Sequence, residues 1–319
     1  MSVLISAIKI LLFPGILFTV VMGVLLTGIN NRLVARMQNR VGPPILQPWY
    51  DFLKCCGKET IIPRHAKKGI FLYAPFIGLA VLLTTALFIP MLGHTMFSTG
   101  ADMIVVLYLL TFVSVTMIIG AAASGSPFAG VGLSREMVAM VSYELPFVFI
   151  ILAVGRLAGR GTDIGVTFSL ARIAEYQAEN GAILTHVSMI PAAIAMLLVI
   201  PCEIGMHPFD IAEAETEICE GTLAEYSGKP LALFRLTHCV KVYVMTALFS
   251  AMFLSGFSTG ILMVDAQLQI LFCLVVTFLS MTVPHAVCAR LKVEQVFKFF
   301  WTFVAGLALI SLVLVWFGL

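Results

Sequence analysis

Eight apolar stretches, at about residues 4–28, 70–93, 103–123, 137–158, 186–206, 239–262, 267–287 and 298–317, each reach the roughly 20 residues that carry a helix across a bilayer. In lipid every backbone polar group must be paired within its own segment, and for runs of this length only an α-helix does that. The rest of the composition agrees: 11% of the 319 residues are charged, too few to coat a soluble globule of this size. The chain therefore reads as an all-α integral membrane protein with eight transmembrane helices. It forms one polytopic domain over 1–319, with long loops at 29–69 and 207–238. The first stretch outruns a signal-peptide core and is followed by no small-residue cleavage site, so it reads as a retained helix.

Charge is unevenly spread. The connections after the odd-numbered spans hold 15 of the 19 Lys and Arg residues, among them Arg32, Arg36, Arg40, Lys54, Arg135, Lys229, Arg235, Lys241 and Arg290. By the positive-inside rule those loops face the cytoplasm and both termini lie outside, in the cytoplasmic (inner) membrane of a prokaryote. Arg156, Arg160 and Arg172, on the other side, share their loop with Asp163, Glu175 and Glu179. A net charge of only +2 speaks against nucleic acid as a partner, leaving the lipid bilayer and other proteins.

No redox centre or nucleotide site is legible. The seven cysteines include the adjacent Cys55 and Cys56 but no zinc or iron–sulfur spacing, and there is no phosphate-binding glycine loop and no nucleophile elbow. No internal repeat relates the two halves, which disfavours a self-sufficient secondary transporter.

Against this background the acids stand out. From Glu203 to Glu225 there are seven carboxylates, Glu203, Asp210, Glu213, Glu215, Glu217, Glu220 and Glu225, and no Lys or Arg. Asp210 followed at +3 by Glu213 fits a capping box, predicting a helix on which Asp210, Glu213, Glu217 and Glu220 form one acidic stripe. Glu203, beside Pro201 near the end of span five, and Glu144, two residues before Pro146 in span four, place carboxylates at membrane depth. Burial and neighbouring negative charge both push a carboxyl towards titration near neutrality, so such groups are candidates for a proton relay. His285 and Lys9 are weaker cases of the same kind.

The first long loop is a candidate docking platform. Arg32, Arg36 and Arg40 fall at i, i+4 and i+8, stacked if span one continues as a helix. "VGPPILQP" then breaks any helix, and after Pro48 an amphipathic surface helix is predicted, with Trp49, Phe52, Leu53 and Cys56 on one face and Asp51, Lys54 and Lys58 on the other.

Four segments, "NRVGPPILQPWYDFLK", "GSPFAGVGLSREM", "SYE" and "EIGMHPFDIAEAETEICEGTLAEYSG", resemble the membrane subunit shared by respiratory complex I (NADH dehydrogenase subunit 1) and the energy-converting nickel–iron hydrogenases, including formate hydrogenlyase. The resemblance spans nearly the whole chain. It implies eight spans, no cofactor in this subunit, and docking of a hydrophilic module on the cytoplasmic loops. It also implies a glutamate path, with Glu144, Glu203, Asp210, Glu213, Glu215, Glu217 and Glu225 matching its acidic positions. The implied partners are hydrogenase large and small subunits, an iron–sulfur protein and antiporter-like membrane subunits; the nickel–iron centre and iron–sulfur clusters lie in those partners. Quinone-reducing relatives usually carry an Arg where this chain has Met206, and a longer first loop. Both departures look like the hydrogenase branch, which a related sulfane-sulfur reductase or ferredoxin-linked variant would match equally, with a complex I type quinone-binding subunit as the alternative. The expected topology is checked by fusions at Leu319: a reporter that works only outside the cytoplasm should be active there, and activity of one that works only in the cytoplasm would overturn it.

Overall fold

The structure, a computed structural model, describes residues 15–90, 101–160, 165–257 and 262–318, with Glu215, Thr216 and Leu262 described by backbone alone. Lys9 and Asp163, noted above, lie outside the described residues. Eight helices among the described residues are long and apolar enough to span a membrane. We label them with two shorter helices in chain order: α1 Ile16–Met37, α2 Gln47–Gly57, α3 Lys68–Phe88, α4 Asp102–Ser124, α5 Pro127–Ala158, α6 Leu170–Asn180, α7 Val187–Ile204, α8 Gly228–Phe253, α9 Met263–Val287 and α10 Val293–Trp316.

Helix α8 is the centre of the bundle. Every residue from 239 to 254 is buried, because α1, α2, α3, α7 and α9 all pack around it. Without a hydrophobic drive between helices in lipid, close packing has to come from small residues that let backbones approach. Gly23 of α1 does this: a Cβ there would sit 2.6 Å from the carbonyl oxygen of Cys239 in α8. Gly28, farther along the same helix, lies against the Ile45 backbone, which folds the "VGPPILQP" segment back onto α1.

At one end of α8 the carbonyls left without helical partners are capped by a buried side chain. Gln177 of α6 donates through Nε2 to Ala251 O at 3.1 Å and Met252 O at 3.0 Å, and its Oε1 accepts from Gly256 N at 3.2 Å. The arginines of the preceding segment act in the same manner: Arg156 donates to Gly165 O at 2.6 Å and stacks over Trp316, and Arg160 donates to Val315 O at 2.9 Å. Two of the cations outside the charge bias thus hold helix and loop carbonyls at the end of the bundle opposite the acidic block.

Three boundary expectations change. Helix α1 ends at Met37, so Arg32 and Arg36 are helical while Arg40 follows a left-handed turn at Asn39 (φ 56°) and hydrogen-bonds Gln38 instead of extending the stripe. Helix α5 starts ten residues earlier than the apolar pattern indicates, at Pro127, because Pro suits the first helical turn, and this takes Arg135 and Glu136 into the helix. Helix α8 likewise starts at Gly228, so Lys229, Arg235 and Lys241 are helical and Lys241 is buried in the bundle instead of marking a cytoplasmic loop. Helix α2 turns its Gln47, Pro48, Asp51 and Phe52 towards the bundle and leaves Trp49, Tyr50, Leu53 and Lys54 exposed.

The close approach at Gly28 is testable. A Cβ there would fall 1.8 Å from Ile45 O, a contact that only a backbone shift relieves. Gly28→Ala should cost about 1–3 kcal/mol by overpacking and lower the thermal midpoint in detergent. Gly306→Ala in α10, with no heavy atom within 4 Å, should leave the midpoint unchanged or raised.

Candidate functional site

The acidic block lies where α7 stops. Gly205 adopts a left-handed conformation (φ 79°), and the N–H groups of Gly205 and Met206 return to Pro201 O at 3.1 and 2.9 Å, closing the helix. Phe209 then wedges against Phe299 and Phe300 of α10, with ring centroids 6.2 and 5.2 Å away, and pins the loop across the bundle end. The expected acidic helix from Asp210 does not form. Residues 219–221 all take positive φ, and the loop folds tightly enough that a Cβ on Gly221 would lie 2.1 Å from Ala212 O. A helix cannot run through such a turn, and only Glu215–Ile218 are helical.

The stripe is therefore replaced by separate pairs. Arg290 meets Asp210 at 2.9 Å, Arg135 of α5 meets Glu217 at 2.5 Å, and Arg235 of α8 lies 3.8 Å from Glu220. Each of these acids is offset by a cation from another element, which removes the repulsion a stripe would carry. The exposed pairs are worth little individually, of order 0–1 kcal/mol, and act mainly to set the loop's path. Glu225 is half-buried and makes no ion pair among the described residues, and the Glu215 side chain lies outside them.

Beneath the loop is a chamber of about 350 Å³, bounded by α1, α2, α4, α5, α7 and α8. Asp51, Glu136, Asp210, Glu213 and Glu220 line it together with Arg235, His238 and Lys241. Glu213 is pushed up to about 8, by loss of solvation first and then by the charges of Asp210, Glu136 and Glu220, with Arg235 opposing. The His207 imidazole, packed on His285 at the rim, is held below its ordinary value by burial and Arg290, against a hydrogen bond with Cys288 O.

Deeper in, Lys241 Nζ sits 2.9 Å from Glu203 Oε1 and 3.1 Å from Ser114 Oγ, which in turn lies 3.4 Å from the Tyr143 hydroxyl. The pair is almost fully out of solvent, at 7% and 1% side-chain exposure, and neither Glu203 oxygen receives a well-directed hydrogen bond. Glu136 lies within electrostatic reach of Lys241, Glu203 and Asp210, while Glu144 is half-buried and in reach of Glu203. Glu136 and Lys241 thus both line the chamber, with Glu203 paired to Lys241 and Glu144 in electrostatic reach of Glu203. Among the described residues no three His, Cys, Asp or Glu side chains converge as a metal site.

This fold and charge arrangement has known counterparts. A family model described as NADH dehydrogenase matches residues 8–316. The chain belongs to the NADH dehydrogenase subunit 1 family. It is 30% identical over 310 residues to an NADH-quinone oxidoreductase subunit of Dehalococcoides mccartyi, covering 93% of this chain and 82% of that one. It is 32% identical over 231 residues to hydrogenase-4 component C of Escherichia coli, covering 72% and 70%. A chain of the membrane-bound sulfane sulfur reductase, an archaeal respiratory membrane complex, superposes with a TM-score of 0.86 at 27% identity over 99% of this chain and 100% of that one. This protein is accordingly a multi-pass membrane subunit of the complex I-like and hydrogenase-like respiratory assemblies, which are oxidoreductases.

Of the acids singled out from sequence, Asp210, Glu213 and Glu220 meet at the chamber, Glu203 lies below it and Glu144 beyond. Glu217 is exposed at the surface with Arg135. Sequence reasoning passes over Glu136 and Lys241 as members of the site. Glu136 lies within "GSPFAGVGLSREM", and Lys241 is a charge three residues into an apolar run, a position that itself calls for a buried partner. Of the docking residues, Arg32, Arg36, Arg40 and Lys54 are exposed or nearly so, whereas Asp51 accepts from Gln47 Nε2 at 2.8 Å and faces the chamber.

The raised value of Glu213 has a definite sign. Between the ordinary carboxyl value of 4.5 and about 8 the folded protein holds a proton that the unfolded chain has released, so stability falls as pH rises through that window. Thermal midpoints of the purified protein should show this decline, and Glu213→Gln should flatten it.

Proposed function

We propose that this chain is the membrane anchor and coupling subunit of an energy-converting hydrogenase. In this reading it docks a hydrophilic module and relays protons from the junction towards ion-pumping membrane subunits. The buried Lys241–Glu203 pair at the wall of an acid-lined chamber, with Glu136 and Glu144 in electrostatic reach of it, carries the reading. Carboxylates deprived of water and crowded by like charge hold and release protons near neutral pH, and they titrate as a group. The chain supplies the route, while hydrogenase large and small subunits and an iron–sulfur protein supply the nickel–iron centre and iron–sulfur clusters. Antiporter-like membrane subunits receive the protons. Arg32, Arg36, Arg40 and Lys54, at the surface beside the Gly42–Pro44 turn, offer carboxylates on the docked module a set of cations.

One observation favours the hydrogenase branch. Met206 is buried in the apolar core and does not line the chamber, so no cation reaches in from that position. The chamber volume, within the range of small-molecule sites, favours a quinone-binding subunit as the second reading.

The intact complex purified from the native membrane separates the two. It should contain nickel and iron–sulfur clusters and evolve hydrogen from a low-potential donor without added quinone, unaffected by quinone-site inhibitors. Turnover that requires quinone and responds to those inhibitors would establish the second reading instead. In sealed vesicles Glu144→Gln, which disturbs no ion pair among the described residues, should assemble and turn over while proton pumping falls at least tenfold; normal pumping would remove Glu144 from the route.

A further inference from the structure

We propose that Lys241 is the positioning residue of the route, a fixed ammonium that makes Glu136 and Glu203 share a single negative charge, so that a proton taken up by one is released by the other. This rests on the relay reading above but adds a residue and a rule to it. The geometry carries it. Lys241 lies at the chamber wall, and its ammonium stands 2.9 Å from Glu203 on α7. It is also the foremost charge acting on Glu136 of α5. Facing it are Ser114 from α4, Tyr143 and Glu136 from α5, Cys202 and Glu203 from α7, His238 from its own helix and Asp210 beyond Glu136.

An ammonium has three donors. Ser114 accepts one, Glu203 is in contact without a well-directed hydrogen bond, and Glu136 lines the same chamber wall within electrostatic reach. A buried cation with one ionised partner is nearly neutral as a unit. Two ionised carboxylates add an uncompensated negative charge out of water, none leaves an uncompensated positive one, and each imbalance is strongly unfavourable in such an interior. The favoured states therefore hold one shared proton: on Glu136 with Glu203 ionised, or on Glu203 with Glu136 ionised. Transfer between them moves one proton, breaks no other bond, leaves Lys241 protonated and conserves charge. Glu203 in its protonated state is then the donor towards Glu144.

The test reads carboxyl protonation directly, by the infrared C=O band of protonated acids in the assembled complex, with Glu136→Gln identifying the Glu136 contribution. In Glu203→Gln the ammonium keeps Glu136 as its anion, so no Glu136 band should appear at pH 7. In the double variant Glu203→Gln with Lys241→Met both partners of the pair are replaced, so folding is preserved, and the Glu136 band should appear. Identical spectra for the two would overturn the proposal. In vesicles, Lys241→Arg should retain pumping with a displaced pH profile, and Lys241→Met should lose at least tenfold in pumping while uncoupled turnover persists; normal pumping by Lys241→Met would also overturn it. Normal pumping by Glu203→Gln, by contrast, would sink the relay reading itself, whereas failure of that variant with normal Lys241→Met would sink only the role given to Lys241.

Discussion

Taking a carboxylate and an ammonium out of water costs several kcal/mol for each ion, and the loss is offset only where they meet each other in good geometry. The Lys241–Glu203 pair imposes that condition on the rest of this bundle. It requires α7 and α8 to be held face to face at one depth, and α4 to bring Ser114 within reach of the same ammonium. The apolar residues around it cannot specify such a register alone, because lipid and Leu are nearly equivalent solvents for one another. The buried pair thus ties α7 to α8 at this depth, and glycine contacts such as Gly23 against Cys239 set how closely α1 and α8 lie.

The same physics shapes the ends. Where α8 finishes, Gln177 caps carbonyls that lipid or protein would otherwise leave unpaired; where α7 finishes, Gly205 and the loop return the chain over the chamber. In the loop, cations from α5, α8 and the α9–α10 linker each reach a separate acid. The loop path is therefore dictated by three elements at once, and the positive φ values at Cys219, Glu220 and Gly221 are the backbone's accommodation to it.

Much of this is legible in the sequence. Hydropathy locates eight spans, since the length and purity of an apolar run respond to the bilayer alone, and Glu144 and Glu203 are visible because lipid makes any intramembrane charge conspicuous, whereas Glu136, at the foot of its span, is not. What fails has one cause. The acidic stripe assumes that Asp210 to Glu220 follow local helix signals, yet long-range pairs with Arg135, Arg235 and Arg290 and the fold-back at Gly221 outweigh the capping box. Lys241 reads as a loop residue because α8 begins at Gly228, before its apolar run, where Pro230 occupies the first turn. The partner that makes its burial tolerable lies 38 residues earlier in the chain and is visible only in three dimensions.

The chamber's charge balance bears on which small molecule suits it. Five carboxylates line it against two obligate cations, Arg235 and Lys241, with His238 as a neighbouring imidazole. Asp210 and Glu220 are met by Arg290 and Arg235, while Glu213, pushed up to about 8 by burial and the charges of its neighbours, holds its proton at neutral pH. Reduction of a quinone first builds negative charge on its ring, which this lining opposes unless protons arrive in step. The proposed storage and onward transfer of protons, with electrons kept on a partner's metal centres, meets no such opposition. The charge of the lining therefore suits the proposed proton route better than the reduction of a quinone within the chamber.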